Sequence, residues 1–412
     1  MGGGRVDRGA PVPVASLLRV ACDDPSPMKR FRTVLFWCHL SVGVTGGVII
    51  FLMSVTGVLL TYERQISDWA DTCTYVVDRH DGKSRLGVEA LAARVRETTG
   101  KSPARLALRA DASAPAEVGF DGSPSVYVDP FTGDVLGEGA PNVGAFFRFV
   151  EEAHRWLALT GWSRNAARAV TGAANLGFLF IVLSGIYLWW PRSWTRKSVR
   201  SVAWFRRGLS GKARDFNWHN VIGLWMWAPL VIVVLSGVVI SYPWAGNLAY
   251  RIVGEEPPAP RGPGGPPSPD APPVSAPTDG LDALWARAEQ QTPGWKTISL
   301  QLPKTLDAPV PFSIDEGDGG QPQKRASLTL DRATGEVVKW EPFSSFSTGR
   351  QLRVFFRFAH TGEFFGIAGQ TIAGVASAGA AVLAYTGLAL AWRRWRAWIA
   401  RRRGRATDSP VV

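Results

Sequence analysis

Apolar positions gather into four long runs, at about 34–61, 169–190, 221–241 and 364–392, with polar stretches between them. Each run approaches or exceeds the ~20 residues a helix needs to cross the hydrocarbon core of a bilayer. Four transmembrane helices are therefore predicted. The polar stretches follow a different rhythm. Gly87-Val-Glu-Ala90-Leu91-Ala-Ala-Arg94 has apolar residues at helical spacing, and Ser125-Val-Tyr-Val-Asp129 alternates like a strand before the turn at Thr132-Gly133. Gly280-Leu-Asp-Ala283-Leu284-Trp-Ala-Arg287 and then Leu328-Thr-Leu-Asp331 with Thr334-Gly335 repeat that order in the second half. A helix followed by short antiparallel strands is a compact α+β unit, so two small α+β modules are expected between the spans.

The two halves also match at single positions. His39, Gly43, Thr56-Gly57 and Thr61-Tyr62 recur as His219, Gly223, Ser236-Gly237 and Ser241-Tyr242, each at an offset of 180 residues. A helix from the His to the Tyr rises about 34 Å, enough to cross a membrane. Phe146-Phe-Arg148-Phe precedes His154, as Phe355-Phe-Arg357-Phe precedes His360, and the spans that follow carry Ser184-Gly185 and Thr386-Gly387. The unit is span, module, histidine, span, used twice in tandem. Two crossings separate the copies, so they share one orientation about a pseudo-two-fold axis along the membrane normal.

The expected layout is a disordered tail over 1–27, helix one over 28–62, a first module over 63–142, and a short helix with helix two over 143–190. A basic loop over 191–216 leads to helix three over 217–243. A Pro-rich linker and second module over 244–345, a short helix with helix four over 346–392, and a basic tail over 393–412 complete the chain. The tail has no signal-peptide h-region, and Met28 before Lys29-Arg30 reads as a more natural start.

A net charge of +12 invites a nucleic-acid reading, but the basic residues sit in the wrong places for one. Lys29, Arg30 and Arg32 precede the first run, eight basic residues from Arg192 to Arg214 lie between the second and third, and seven from Arg393 to Arg405 follow the fourth. Positive residues collect on the cytoplasmic side of membrane proteins, so both termini and the basic loop are predicted cytoplasmic and the modules periplasmic. The partner this implies is a lipid bilayer, with no nucleic acid. The three cysteines, Cys22, Cys38 and Cys73, are scattered and suggest neither a disulfide framework nor a thiolate metal site.

Four of the five histidines fall on the repeat. His39 and His219 belong near the cytoplasmic ends of helices one and three, and His154 and His360 near the outer ends of helices two and four. A two-fold axis pairs His39 with His219 and His154 with His360. Two imidazoles facing across a four-helix bundle, with small residues nearby, suit a six-coordinate haem iron. A lone membrane histidine is more often a hydrogen-bond partner between helices, but four at matching depths favour ligation. Zinc or copper would want further ligands, and a proton relay would want intramembrane carboxylates. Arg148, Arg155, Arg164, Arg168, Arg353 and Arg357 crowd the outer boundary, either to meet haem propionates or an anionic substrate, or to snorkel. His80, in Asp-Arg-His-Asp-Gly, reads as a solvated turn.

Phe36-Trp37-Cys38-His39 with Gly43 and Thr56-Gly57, His154-Arg155-Trp156-Leu157, Ser184-Gly185-Ile-Tyr-Leu-Trp-Trp-Pro191-Arg192, Trp218-His219-Asn220 and Thr386-Gly387 carry a family likeness. Over about residues 29–396 the chain resembles the PepSY-associated transmembrane family of bacterial inner-membrane proteins, which includes iron-regulated proteins and ferric-siderophore reductases. Both modules resemble PepSY domains. The resemblance implies two b-type haems and an oxidoreductase acting on a ferric siderophore or other ferric chelate at the periplasmic face. No nucleotide-binding fingerprint is present, so electrons would come from a cytoplasmic flavoprotein or membrane quinol. The alternative is a membrane anchor whose PepSY-like modules bind peptides or regulate a protease without redox activity.

Overall fold

The computed structural model describes residues 27–73, 75, 77, 84–191, 194–259, 278–303, 305 and 307–407, with side chains as far as Arg403. The tail before Pro27, with Cys22, lies outside these residues, as do His80 and the 260–277 part of the expected linker.

Helix α1 (Pro27–Leu59) runs through a tight turn at Leu60–Tyr62 into α2 (Glu63–Thr72). Neither glycine nor proline occurs from Val58 to Thr72, so the helix outlasts the apolar run and forms a 46-residue rod. Next come α3 (Val88–Thr99), β1 (Pro103–Arg109), β2 (Ala116–Phe120), β3 (Ser123–Val128), β4 (Val135–Gly137), α4 (Pro141–Trp156) and α5 (Ser163–Trp189). After α6 (Arg196–Ala203) the same order returns as α7 (Gly211–Ser241), α8 (Pro243–Ile252), α9 (Leu281–Gln291), β5 (Thr297–Gln301), β6 (Val310–Asp315), β7 (Arg325–Leu330), β8 (Val337–Pro342), α10 (Thr348–Thr361) and α11 (Gly366–Thr407). Among the described residues four helical stretches are long and apolar enough to cross a membrane: α1 with α2, α5, α7 and α11. Two helices overrun the boundaries expected for them. α7 starts at Gly211 and α11 continues past Trp392 to Thr407, because arginine, alanine and tryptophan end a span without ending a helix.

The four long helices form a ring in which α1 packs on α5 and α11, and α7 packs on the same two, so α1 and α7 stand diagonally. Val182, Leu230, Val234, Ala376 and Ala380 fill its centre. At the end that carries α6, the carboxylate of Asp215 is 1% exposed and is shared by Arg214 at 2.9 Å and Arg393 at 2.8 Å, tying α7 to α11.

At the other end the strands form one sheet, in the order β4-β3-β2-β1-β5-β6-β7-β8. Two separate modules were expected; instead β1 and β5 pair antiparallel and fuse them. Their register runs Arg105↔Gln301, Leu106↔Leu300, Ala107↔Ser299, Leu108↔Ile298 and Arg109↔Thr297, symmetric about Ala107 and Ser299. Leu106, Leu108, Ile298 and Leu300 thereby share one buried face with Leu91, Val95, Leu281 and Leu284 of α3 and α9. Pairing the strands removes two open edges and joins two half-cores, each buried leucine or isoleucine contributing about 1.5–3 kcal/mol. The helices above the seam cap each other. The amide of Glu89 donates to Asp282 Oδ1, and that of Asp282 to Glu89 Oε1, both at 3.1 Å. The sheet is bolted to the bundle by the Arg109–Asp68 pair and by Arg64 donating to the Asp318 carbonyl, while Arg64–Glu363 at 3.1 Å and Gln65 Nε2 donating to Gln370 Oε1 at 2.7 Å tie α2 to the start of α11.

Candidate functional site

His39 lies on α1 and His219 on α7, towards the α6 end of the bundle, whereas His154 and His360 occupy the last turns of α4 and α10 at the sheet end. α4 lies against α1 and α5, and α10 against α7 and α8, which brings both short helices to the bundle wall. On each of the four long helices one hydroxyl–glycine dipeptide meets one imidazole. His39 Nδ1 lies 2.8 Å from Ser184 Oγ on α5, and His154 Nδ1 lies 2.9 Å from Thr56 Oγ1 on α1. His219 Nδ1 lies 2.9 Å from Thr386 Oγ1 on α11, and His360 Nδ1 lies 3.3 Å from Ser236 Oγ on α7. His360 Nδ1 also donates to the Val233 carbonyl at 2.9 Å.

The glycine after each hydroxyl makes room for the ring. A Cβ at Gly57, Gly185 or Gly387 would meet the Cε1 of the same histidine at 3.4 to 3.6 Å, an ordinary contact, whereas one at Gly237 would lie 3.2 Å from His360 Cε1 and 2.9 Å from Asn175 Nδ2 and would force a neighbour to give. Each ring is thus engaged through Nδ1 by a hydroxyl of a neighbouring helix. Thr56 and Ser236 each follow a histidine of their own helix by 17 residues, which separates the two levels by about 25 Å along the axis.

At the sheet end His154 and His360 face each other with ring centres 6.3 Å apart and planes inclined at 56°. One metal between two imidazole nitrogens calls for about 6 Å, at about 2 Å per bond and about 1 Å from nitrogen to ring centre. Burial, and then His360 beside it, pushes His154 down to about 4; burial likewise lowers His360. Both rings are therefore neutral near pH 7, the form that ligates a metal. A cavity of about 400 Å³ opens between them, lined also by Gly57, Thr171, Asn175 and Gly237. At the α6 end, His39 and His219 are close enough to interact electrostatically.

Among the described residues no group of three or more His, Cys, Asp or Glu gathers as a metal site. Paired imidazoles with no further protein ligand fit a flat macrocycle that brings four in-plane donors of its own. Of the six arginines singled out in the sequence, Arg155, Arg168 and Arg357 line the cavity. Arg164 instead stacks 3.6 Å from the ring centre of Trp156, and Arg148 and Arg353 are exposed. Arg155 is partly committed, 2.6 Å from Glu151. Sequence reasoning found the histidines and marked the hydroxyl–glycine pairs as repeat positions, but missed that each pair serves a histidine; it also missed Thr171 and Asn175. The recurrence of a hydroxyl before glycine at matching repeat positions, Thr56-Gly57 with Ser236-Gly237 and Ser184-Gly185 with Thr386-Gly387, was the available signal.

A protein-family model described as the PepSY-associated TM region matches residues 36–406. No curated protein matches the chain.

Proposed function

We propose, from the premise that the chain belongs to the PepSY-associated TM family, that it is a di-haem b electron-transfer protein of the bacterial inner membrane. In this reading it acts as an oxidoreductase that reduces ferric chelates, ferric siderophores among them, on the periplasmic side. The observation that carries the proposal is the His154–His360 pair, 6.3 Å apart, Nδ1 engaged on both rings, with a cavity between. The His39–His219 pair would hold a second haem in the same way. A bound haem supplies one-electron storage at a potential set by its ligands.

The chain's own residues do the rest. The four imidazoles would hold the two haem irons, four glycines leave room beside the rings, and Arg155, Arg168 and Arg357 would offer cations to propionates or an anionic chelate. Apolar walls keep water from the path between the two levels. Each iron(III) takes one electron to become iron(II), which hard oxygen ligands hold more weakly. That electron enters at the α6 end, from a cytoplasmic flavoprotein or membrane quinol. The basic residues around α6 and after α11 support a cytoplasmic assignment for that end and for both termini, with the sheet periplasmic. The matching element order of the halves supports a tandem repeat.

An absorption spectrum of the purified full-length protein, oxidised and then reduced, tests the reading. About two low-spin b-type haems per chain are expected, one for each histidine pair. A colourless protein from haem-supplied cells would favour a membrane anchor with peptide-binding modules instead.

A further inference from the structure

The hydroxyls of the four dipeptides do more than stand beside the histidines. A hydroxyl has one proton, and each of these has a carbonyl of its own helix within reach to take it. Thr56 donates to Leu52 at 2.8 Å, Ser184 to Ile181 at 3.2 Å, Ser236 to Val233 at 2.8 Å and Thr386 to Val382 at 2.8 Å. Towards the imidazole such an oxygen can only accept. Nδ1 must then carry the ring proton, and the lone pair is left on Nε2, where a metal would take it.

The support is unequal. His360 Nδ1 has a nearer acceptor than its hydroxyl, since the Val233 carbonyl lies at 2.9 Å and Ser236 Oγ at 3.3 Å. The Met53 carbonyl likewise bonds to His154 and the Leu383 carbonyl to His219, whereas among the described residues His39 Nδ1 is held by Ser184 at 2.8 Å. We propose that Thr56, Ser184 and Thr386 are positioning residues that hold His154, His39 and His219 in the Nδ1–H tautomer, that His39 depends most on Ser184, and that the Val233 carbonyl rather than Ser236 fixes His360. The tautomer is argued from the hydrogen bonds; its redox consequence rests on the haem reading above. An acceptor on Nδ1–H makes Nε2 more basic and favours ferric over ferrous iron, so removing it should raise the potential of that site and loosen its haem.

The test uses the full-length protein as isolated, with Ser184→Ala, Ser184→Thr, Thr56→Val, Thr386→Val and Ser236→Ala. Redox titration, low-spin electron paramagnetic resonance and haem transfer to apomyoglobin are read for each. Ser184→Ala should weaken one haem about ten-fold or more and shift its midpoint potential upwards, and Thr56→Val and Thr386→Val should act in the same direction to a smaller extent. Ser184→Thr should restore the wild-type values, and Ser236→Ala should match wild type. Unchanged potential, spectrum and affinity in Ser184→Ala would overturn the proposal, and so would a Ser236→Ala effect as large as that of Ser184→Ala. If the isolated chain holds no haem, the redox reading fails, and the tautomer is decided by ¹⁵N spectra of its histidines. Nδ1-protonated His39 in wild type and a tautomer mixture in Ser184→Ala sustain the inference; a mixture already in wild type refutes it.

Discussion

At the scale of the residue, the histidines form two couples, and substitution should reveal the coupling. His39→Ala or His219→Ala should each remove the haem at the α6 end, and His154→Ala or His360→Ala the one at the sheet end. Within a couple the losses should not add, because one missing axial ligand already spoils the iron site. Haem stoichiometry of the four single and two double variants measures this; loss of one and the same haem from His39→Ala and His154→Ala would mean pairing within a half. The ligand candidates were legible from sequence because the repeat placed them at fixed offsets from span ends. Their hydrogen-bond partners were not, since Thr56 meets His154 and Thr386 meets His219 across 98 and 167 residues. Such pairings depend on which helix neighbours which, and apolar periodicity is silent on that.

Among the elements, the two short helices that carry His154 and His360 end differently. α10 stops at Gly362, whose φ of 77° is the left-handed conformation glycine adopts freely. α4 stops at Leu157 and Ala158, both left-handed at φ 54° and 55°, with the amides of both bonded back to the Ala153 and Glu152 carbonyls. A side chain in that region costs about 1–2 kcal/mol. Leu157→Gly should therefore stabilise the protein by about 1 kcal/mol, or less if the looser unfolded chain offsets the relief, while leaving haem content unchanged. Thermal unfolding in detergent checks it, and a lower midpoint would mean that the Leu157 side chain contributes more by contact than its backbone costs. The difference also explains what could be read in advance. The Gly362 stop was visible as a residue type, whereas the α4 stop is imposed by the path to α5 against local preference. The spans themselves were readable because an apolar run of ~20 residues has few other fates.

For the whole molecule, reporters fused near Gly208 and after Arg405 should report one side of the membrane, and those near Gly122 and Gly319 the other. The first pair is expected in the cytoplasm and the second in the periplasm; a cytoplasmic signal at Gly122 would move the substrate to the inner side. Four spans and two α+β modules were foreseeable, but not the joining of the modules. Strand patterning predicts that β1 and β5 have buried faces, not that each is the other's neighbour. That seam has a consequence for chain continuity. Residues from the N-terminal half supply His39 and His154, and those from the C-terminal half supply His219 and His360, so neither half owns a complete site. What holds the halves together is the packing of α1 on α11 and of α5 on α7, with the β1–β5 pairing and the reciprocal Glu89–Asp282 caps, and not only the peptide link through α6. A protein severed within 206–210 should therefore reassemble from two separately encoded fragments. Co-expressed, the fragments should copurify with the haem spectrum of the intact chain; expressed singly, each should be colourless.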